Sequence, residues 1–183
     1  MTIGRHDCKL ATGTDLKLII AIGLDEVLTA LEESCYDLTD EQVRAFPVEG
    51  ENNIAWIVMH TLDNLDEYAV GRATGQRAYP AEWRWNLWPG GPEDHPQPTD
   101  QFPTTRELLT RLAAIRQAAT AALANADEAW LRRSVDWHPQ KQVVADFYVR
   151  TIWHANSHVR QIWLLRGLLG TADPHSWPQQ HWT

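Results

Sequence analysis

Apolar residues recur at helical spacing in four long stretches of this chain, separated by polar or proline-rich connections. In the first, Leu16, Ile20, Leu24, Val27 and Leu31 fall on one face of a 3.6-residue repeat. Asp15 precedes them as an N-cap, since its carboxylate can accept from an unpaired amide of the first turn; the helix is expected to end near Tyr36. The second stretch starts at Asn52 or Asn53 and runs to about Thr74, with Ile54, Ile57, Val58, Thr61, Leu65 and Tyr68 as its apolar arc. The third begins after Thr104 or Thr105, carries Leu108, Leu112, Ile115, Ala119 and Ala122, and ends near Ala124. The fourth covers about Gln142 to Leu169 and stops at Gly170, where a glycine takes the left-handed conformation that closes a helix. Its inward face is read as Val143, Phe147, His154, His158, Gln161 and Leu165.

The connections carry their own signals. Thr39 and Gln42 have the spacing of a capping box, which predicts one short helical turn in Leu38–Pro47. A comparable short piece, Ala126–Leu131, leads through Trp137-His138-Pro139 into the last helix. Between the second and third helices lies a stretch punctuated by Pro80, Pro92, Pro96, Pro98 and Pro103 and carrying Trp83, Trp85 and Trp88. Helix cannot persist there. No strand pattern competes, so the expected fold is all-α, a four-helix bundle over residues 15–170, with an aperiodic arm at 1–14 and a Trp/Pro tail at 171–183. Leu38-Thr-Asp-Glu before the second helix faintly echoes Asn125-Ala-Asp-Glu before the fourth.

Composition narrows the function. The chain has 183 residues with 16 Lys and Arg against 24 Asp and Glu, a net charge of −8. That balance works against phosphate-backbone binding, which needs clustered cations, so no nucleic-acid partner is expected. No run approaches 18 apolar residues and no signal-like segment follows the first basic residues, so no membrane partner is expected and a cytoplasmic location is. The two cysteines, Cys8 and Cys35, form no CxxC pattern and read as free thiols.

Candidate chemistry concentrates in histidines. His154 and His158 are four residues apart, hence neighbours on one helical face and able to reach one metal ion. His60, at the edge of the second helix's apolar arc, is a third candidate. Three imidazoles from two helices leave a divalent ion with open coordination positions, whereas structural zinc closes its shell with four ligands. Water bound there would approach a pKa of about 7, and a coordinated thiol would become thiolate; the residues alone do not choose between them. The other histidines (His6, His95, His138, His175 and His181) fall in loops or termini and are read as bystanders. A di-metal carboxylate site is rejected because the chain has no ExxH motif.

In Leu38-Thr-Asp-Glu-Gln, in Asn53-Ile-Ala-Trp-Ile-Val-Met-His60 and in His154-Ala-Asn-Ser-His158-Val-Arg-Gln161-Ile162, the sequence resembles the DinB-like superfamily of four-helix bundles. The resemblance spans roughly residues 15–170. It implies an up-down-down-up bundle with long crossover connections, a zinc or nickel ion held by His60, His154 and His158, and frequent homodimers. It also implies activities such as those of thiol-dependent S-transferases or a mycothiol-dependent maleylpyruvate isomerase, and so a low-molecular-weight thiol cofactor and a small-molecule substrate. A non-catalytic bundle that binds a metal or ligand for stability, sensing or dimerisation is the alternative. Gln161, one turn beyond His158, is the expected polar wall of the site, and Trp85 and Trp88 are its candidate aromatic walls.

Overall fold

The computed structural model describes residues 15–80, 83, 101–137 and 140–171. The N-terminal arm, Trp85, Trp88, His6, His95, His138, His175, His181 and the tail beyond Thr171 lie outside the described residues. Four long helices form the body: α1 (Leu16–Glu33), α3 (Ile54–Leu65), α5 (Thr105–Ala124) and α7 (Val144–Leu168). α3 continues without a break through a π-helical stretch, Asp66–Gly71, into the short α4 (Arg72–Thr74), and closes at Gly75 with φ 81°. The short helices α2 (Asp40–Arg44) and α6 (Glu128–Leu131) precede α3 and α7.

The caps read from sequence are present. Asp15 accepts from Leu18 N at 2.9 Å. Thr39 and Gln42 form the reciprocal box at 3.2 and 2.8 Å; Thr104 and Glu107 form a second one that was not assigned from sequence. The echo between the two short helices is realised one residue out of step, because Thr39 caps α2 whereas Asp127, not Ala126, caps α6.

Two local expectations are corrected. Ser134–Trp137 (β1) and Gln140–Val143 (β2) pair as an antiparallel hairpin, Ser134 opposite Val143, so α7 begins at Val144 rather than Gln142. Four-residue strands span only two periods of alternation, too few to register against helical patterns. The helix starts where Asp146, three residues in, accepts from Val143 N at 3.0 Å. The inward face of α7 is also rotated from the expected one. Phe147 and Leu165 of the expected face are buried, but the rest of the buried row is Tyr148, Thr151, Ala155, Val159 and Ile162, while His154 and His158 are half-buried on its flank and Gln161 is exposed.

Contacts fix the directions. Lys17 Nζ donates to Ala124 O and Ala126 O, and Arg116 pairs with Asp25 and Glu32, so α1 and α5 are antiparallel. Gly23 lies against Ile152, and the buried Arg166 binds Ser34 O and Asp37, so α1 and α7 are parallel. Thr151 donates to Asn64 while Tyr68 stacks on Phe147, so α3 and α7 are antiparallel. The bundle is therefore up-down-down-up. One continuous apolar cluster fills it, drawing Ile20, Leu24, Leu31, Ile54, Leu62, Leu65, Leu108, Ile115 and Ile162 from all four long helices. Cys35 is buried in it as a free thiol, pushed up to about 12 chiefly by burial and inert as a nucleophile. Among the described residues no helix is long and apolar enough to cross a membrane.

Candidate metal centre

α3 and α7 meet along a seam whose side chains form successive levels. At one level Tyr68 and Phe147 stack, ring centroids 5.9 Å apart. One turn along, Thr151 Oγ1 donates to Asn64 Oδ1 at 2.8 Å, both residues buried. One turn further the three predicted histidines converge. His154 Nε2 lies 3.2 Å from both His60 Nε2 and His158 Nε2, and the three ligand atoms lie within 4.8 Å of one another. Among the described residues this is the group of histidine, cysteine and carboxylate side chains that can hold a metal ion.

Each imidazole is placed by its own helix. Asn53 starts α3 by accepting from Trp56 N at 2.8 Å, and its amide donates to Arg44 O, which ties the start of α3 to α2. One turn later the His60 ring stacks on Trp56, with centroids 5.0 Å apart and planes within 7°. His158 Nδ1–H donates to Gln161 Oε1 at 2.7 Å. That bond fixes the tautomer and turns the Nε2 lone pair toward the cluster, which is the outer contact that metal-bound histidines require. Gln161 thus sets the orientation of the His158 ring.

The donor set fits a divalent cation. A neutral imidazole carries one N–H, and His158 has spent its own on Gln161. A single N–H on His154 Nε2 can fully satisfy only one of its two 3.2 Å contacts. Three Nε2 atoms directed at one point are better compensated by a cation between them. Burial, with further contributions from His158, His60 and Arg150, pushes His154 down to about 3. Burial likewise lowers His158, against the opposing Gln161 bond. Both rings are therefore neutral near pH 7, the form that ligates metal. With the proton on Nδ1, His154 finds no acceptor for it among the described residues.

A second polar cluster adjoins the first on α3. Arg77, just past the Gly75 turn, donates to Asp66 Oδ2 at 2.7 Å and forms a short contact with Asp63 Oδ1. The fully buried Asp66 also accepts from Ala78 N and Tyr79 N at 2.7 and 2.9 Å. Gly71 makes room for this, since a Cβ there would lie 3.0 Å from Arg77 Cγ. The clamp holds the start of the proline-rich connection against α3 beside the histidines. Trp83 packs in the same region, over Arg111 and edge-on to Tyr79.

Sequence reasoning singled out His60, His154, His158 and Gln161, and the structure brings these four together. Trp85 and Trp88 lie outside the described residues. It set Trp56 next to His60 without assigning the stack, and it missed Arg150 as the cation one turn before His154; both are four residues from a histidine of the cluster, and that spacing was the available signal. A separate open groove of about 580 Å³, between Tyr36–Asp40 and the start of α5, includes none of the histidines.

An up-down-down-up bundle with a three-histidine cluster between antiparallel α3 and α7 defines a class of metal-site bundle. Residues 24–162 match the family model of the DinB superfamily, and the chain belongs to that superfamily. Among solved structures, a conserved protein from Enterococcus faecalis superposes with a TM-score of 0.71 at 18% identity, covering 87% of this chain and 99% of that one. YfiT from Bacillus subtilis, described as a probable metal-dependent hydrolase with an unusual four-helix bundle topology, gives 0.62 at 18% identity over 93% and 97%. At these identities the likeness is one of fold. No curated protein matches the chain in sequence.

Proposed function

We propose that this protein is a metal-dependent enzyme acting on small molecules, with His60, His154 and His158 holding one divalent ion, zinc or nickel. The observation that carries this reading is the convergence of three imidazole Nε2 atoms with no fourth protein ligand beside them among the described residues. The ion would supply a Lewis acid that lowers the pKa of a bound water or of a low-molecular-weight thiol. Gln161 holds His158 in its ligating tautomer, Trp56 fixes the plane of His60, and burial keeps His154 unprotonated. Hydrolysis is supported by the description of YfiT; thiol transfer or isomerisation is supported by the family resemblance. Trp85 and Trp88, in the connection that follows the clamp at Arg77, are proposed walls of the pocket.

A panel of esters, amides and electrophiles, each with and without added thiol, tests the reading on zinc- and nickel-loaded protein. Metal-dependent turnover that His154→Ala abolishes is the expected result. Stoichiometric metal with no turnover of any substrate class would favour the non-catalytic metal-binding bundle instead.

We infer in addition that copies of the chain associate through the outer face of the parallel α1/α7 pair. There Ile19 and Ile22 are exposed together with Val149, Leu164 and the 73% exposed Trp153, an apolar surface of the kind that marks an interface. Sedimentation should show a dimer that Trp153→Glu dissociates; a monomeric parent would refute it.

A further inference from the structure

The seam that holds the histidines also holds a cation whose charge no described residue balances. Arg150 lies one turn before His154 on α7, which places its Cα about 6 Å away, given a 5.4 Å pitch. Its guanidinium carbon sits 5.5 Å from the centre of the Tyr68 ring. Tyr68 is buried and stacked on Phe147, so the guanidinium rests on a fixed platform. The neighbouring charges on the facing helix are all engaged. Asp63 and Asp66 are taken by Arg77, and Glu67 pairs with Arg72 at 2.7 Å and with Arg77 at 3.6 Å. Among the described residues Arg150 makes no ion pair, and its field is among the influences that keep His154 neutral.

We propose that Arg150 binds an anionic group of the substrate, and that the site takes small molecules with a carboxylate a few bonds from the group that meets the metal. This rests on the metal reading above. The guanidinium presents a planar fork that matches a carboxylate with two parallel hydrogen bonds. A carboxylate fits better than a phosphate, because Asp63 and Glu67 flank the seam and would repel a dianion more strongly than a monoanion. The guanidinium lies over Tyr68 rather than over the histidines, so the ligand needs two oxygen-bearing ends joined by a short carbon chain to engage both.

The test uses full-length protein loaded with cobalt(II), whose visible spectrum reports ligands entering the metal's coordination sphere. Acetate, succinate and glutarate are titrated into the parent and into Arg150→Gln and Arg150→Lys, with cobalt content and helicity measured on each. Succinate or glutarate is expected to bind at least about tenfold more tightly than acetate, the gain of one charge-assisted contact. Arg150→Gln should erase that advantage without changing cobalt stoichiometry, helicity or acetate binding, and Arg150→Lys should keep part of it. Equal binding of acetate and the dicarboxylates, or an advantage that survives in Arg150→Gln, would overturn the proposal while leaving the metal reading intact. A parent that takes up no cobalt would overturn both.

Discussion

Two polar clusters lie within two turns of each other on α3, and they are built in opposite ways. In the clamp, Arg77 meets Asp63 and Asp66, and the Asp66 carboxylate also collects two backbone amides. Acceptors and donors are matched there, and the result is a closed structural knot. In the histidine cluster, donors are outnumbered: three ring nitrogens face one point with at most one good hydrogen bond between them. A saturated buried cluster holds a fold together, whereas a convergent unsaturated one waits for a ligand. The contrast says more than burial does, since both clusters are largely shielded from water.

The most direct way to break the contrast is to exchange the consequences. Asp66→Ala leaves Arg77 Nε and the amides of Ala78 and Tyr79 without their acceptor while Asp63 still binds the guanidinium, and should cost about 3–5 kcal/mol in chemical denaturation, the loss of three bonds to one buried carboxylate. His60→Ala should change the metal-free protein less, by about 0.5–1.5 kcal/mol for the loss of its stack on Trp56. Equal costs would mean that the histidines are structural too. The Asn64–Thr151 bond lies between the two clusters, and Asn64→Ala strands the buried Thr151 hydroxyl. A loss of about 1–3 kcal/mol is expected, with some weakening of metal affinity as the α3/α7 register loosens.

Gln161→Leu addresses the metal side alone. Gln161 is exposed, so denaturation of the metal-free protein should barely respond, whereas zinc affinity by competition with a chelator should fall about 10–100-fold. Unchanged affinity would remove Gln161 from the site. The smallest effect concerns the far end of the bundle, where the Arg166 hydrogen bond holds Asp37 below its ordinary 3.8. A depressed carboxylate stabilises the fold above its unfolded pKa, and that contribution is lost as pH falls through the lower folded value. Asp37 is substantially exposed, so the contribution is below about 1 kcal/mol. Asp37→Asn should flatten that much of the acid limb of a stability-versus-pH curve and leave the curve near pH 7 parallel to the parent's.

What the sequence revealed followed the range of its signals. The long helices were legible because apolar positions repeat at helical spacing in each, and the caps at Asp15 and Thr39 because their partners are three residues away. His154 and His158 were legible for the same reason, being i and i+4 on one helix. The β1/β2 hairpin was not, since Ser134–Trp137 and Gln140–Val143 are too short to establish a period and Val143 is no ordinary helix cap. The π-helical stretch and the clamp were hidden because Asp66 and Arg77 meet across a turn at Gly75, and nothing in the spacing of eleven residues specifies that meeting. Arg150 stood on the same stripe as His154 all along. Only the folded structure shows that Asp63, Asp66 and Glu67 on the opposite segment already have partners.

The central claim is that three neutral imidazoles on α3 and α7 hold one divalent ion, and elemental analysis tests it most directly. Untagged protein, purified without chelator, would be measured beside His60→Ala and His154→Ala with helicity followed in parallel. About one zinc or nickel per chain in the parent, lost in both variants while helicity persists, is the predicted result. A parent that carries no metal and takes up none after reconstitution would contradict the claim, and would leave His60, His154 and His158 as packing residues along a helix seam.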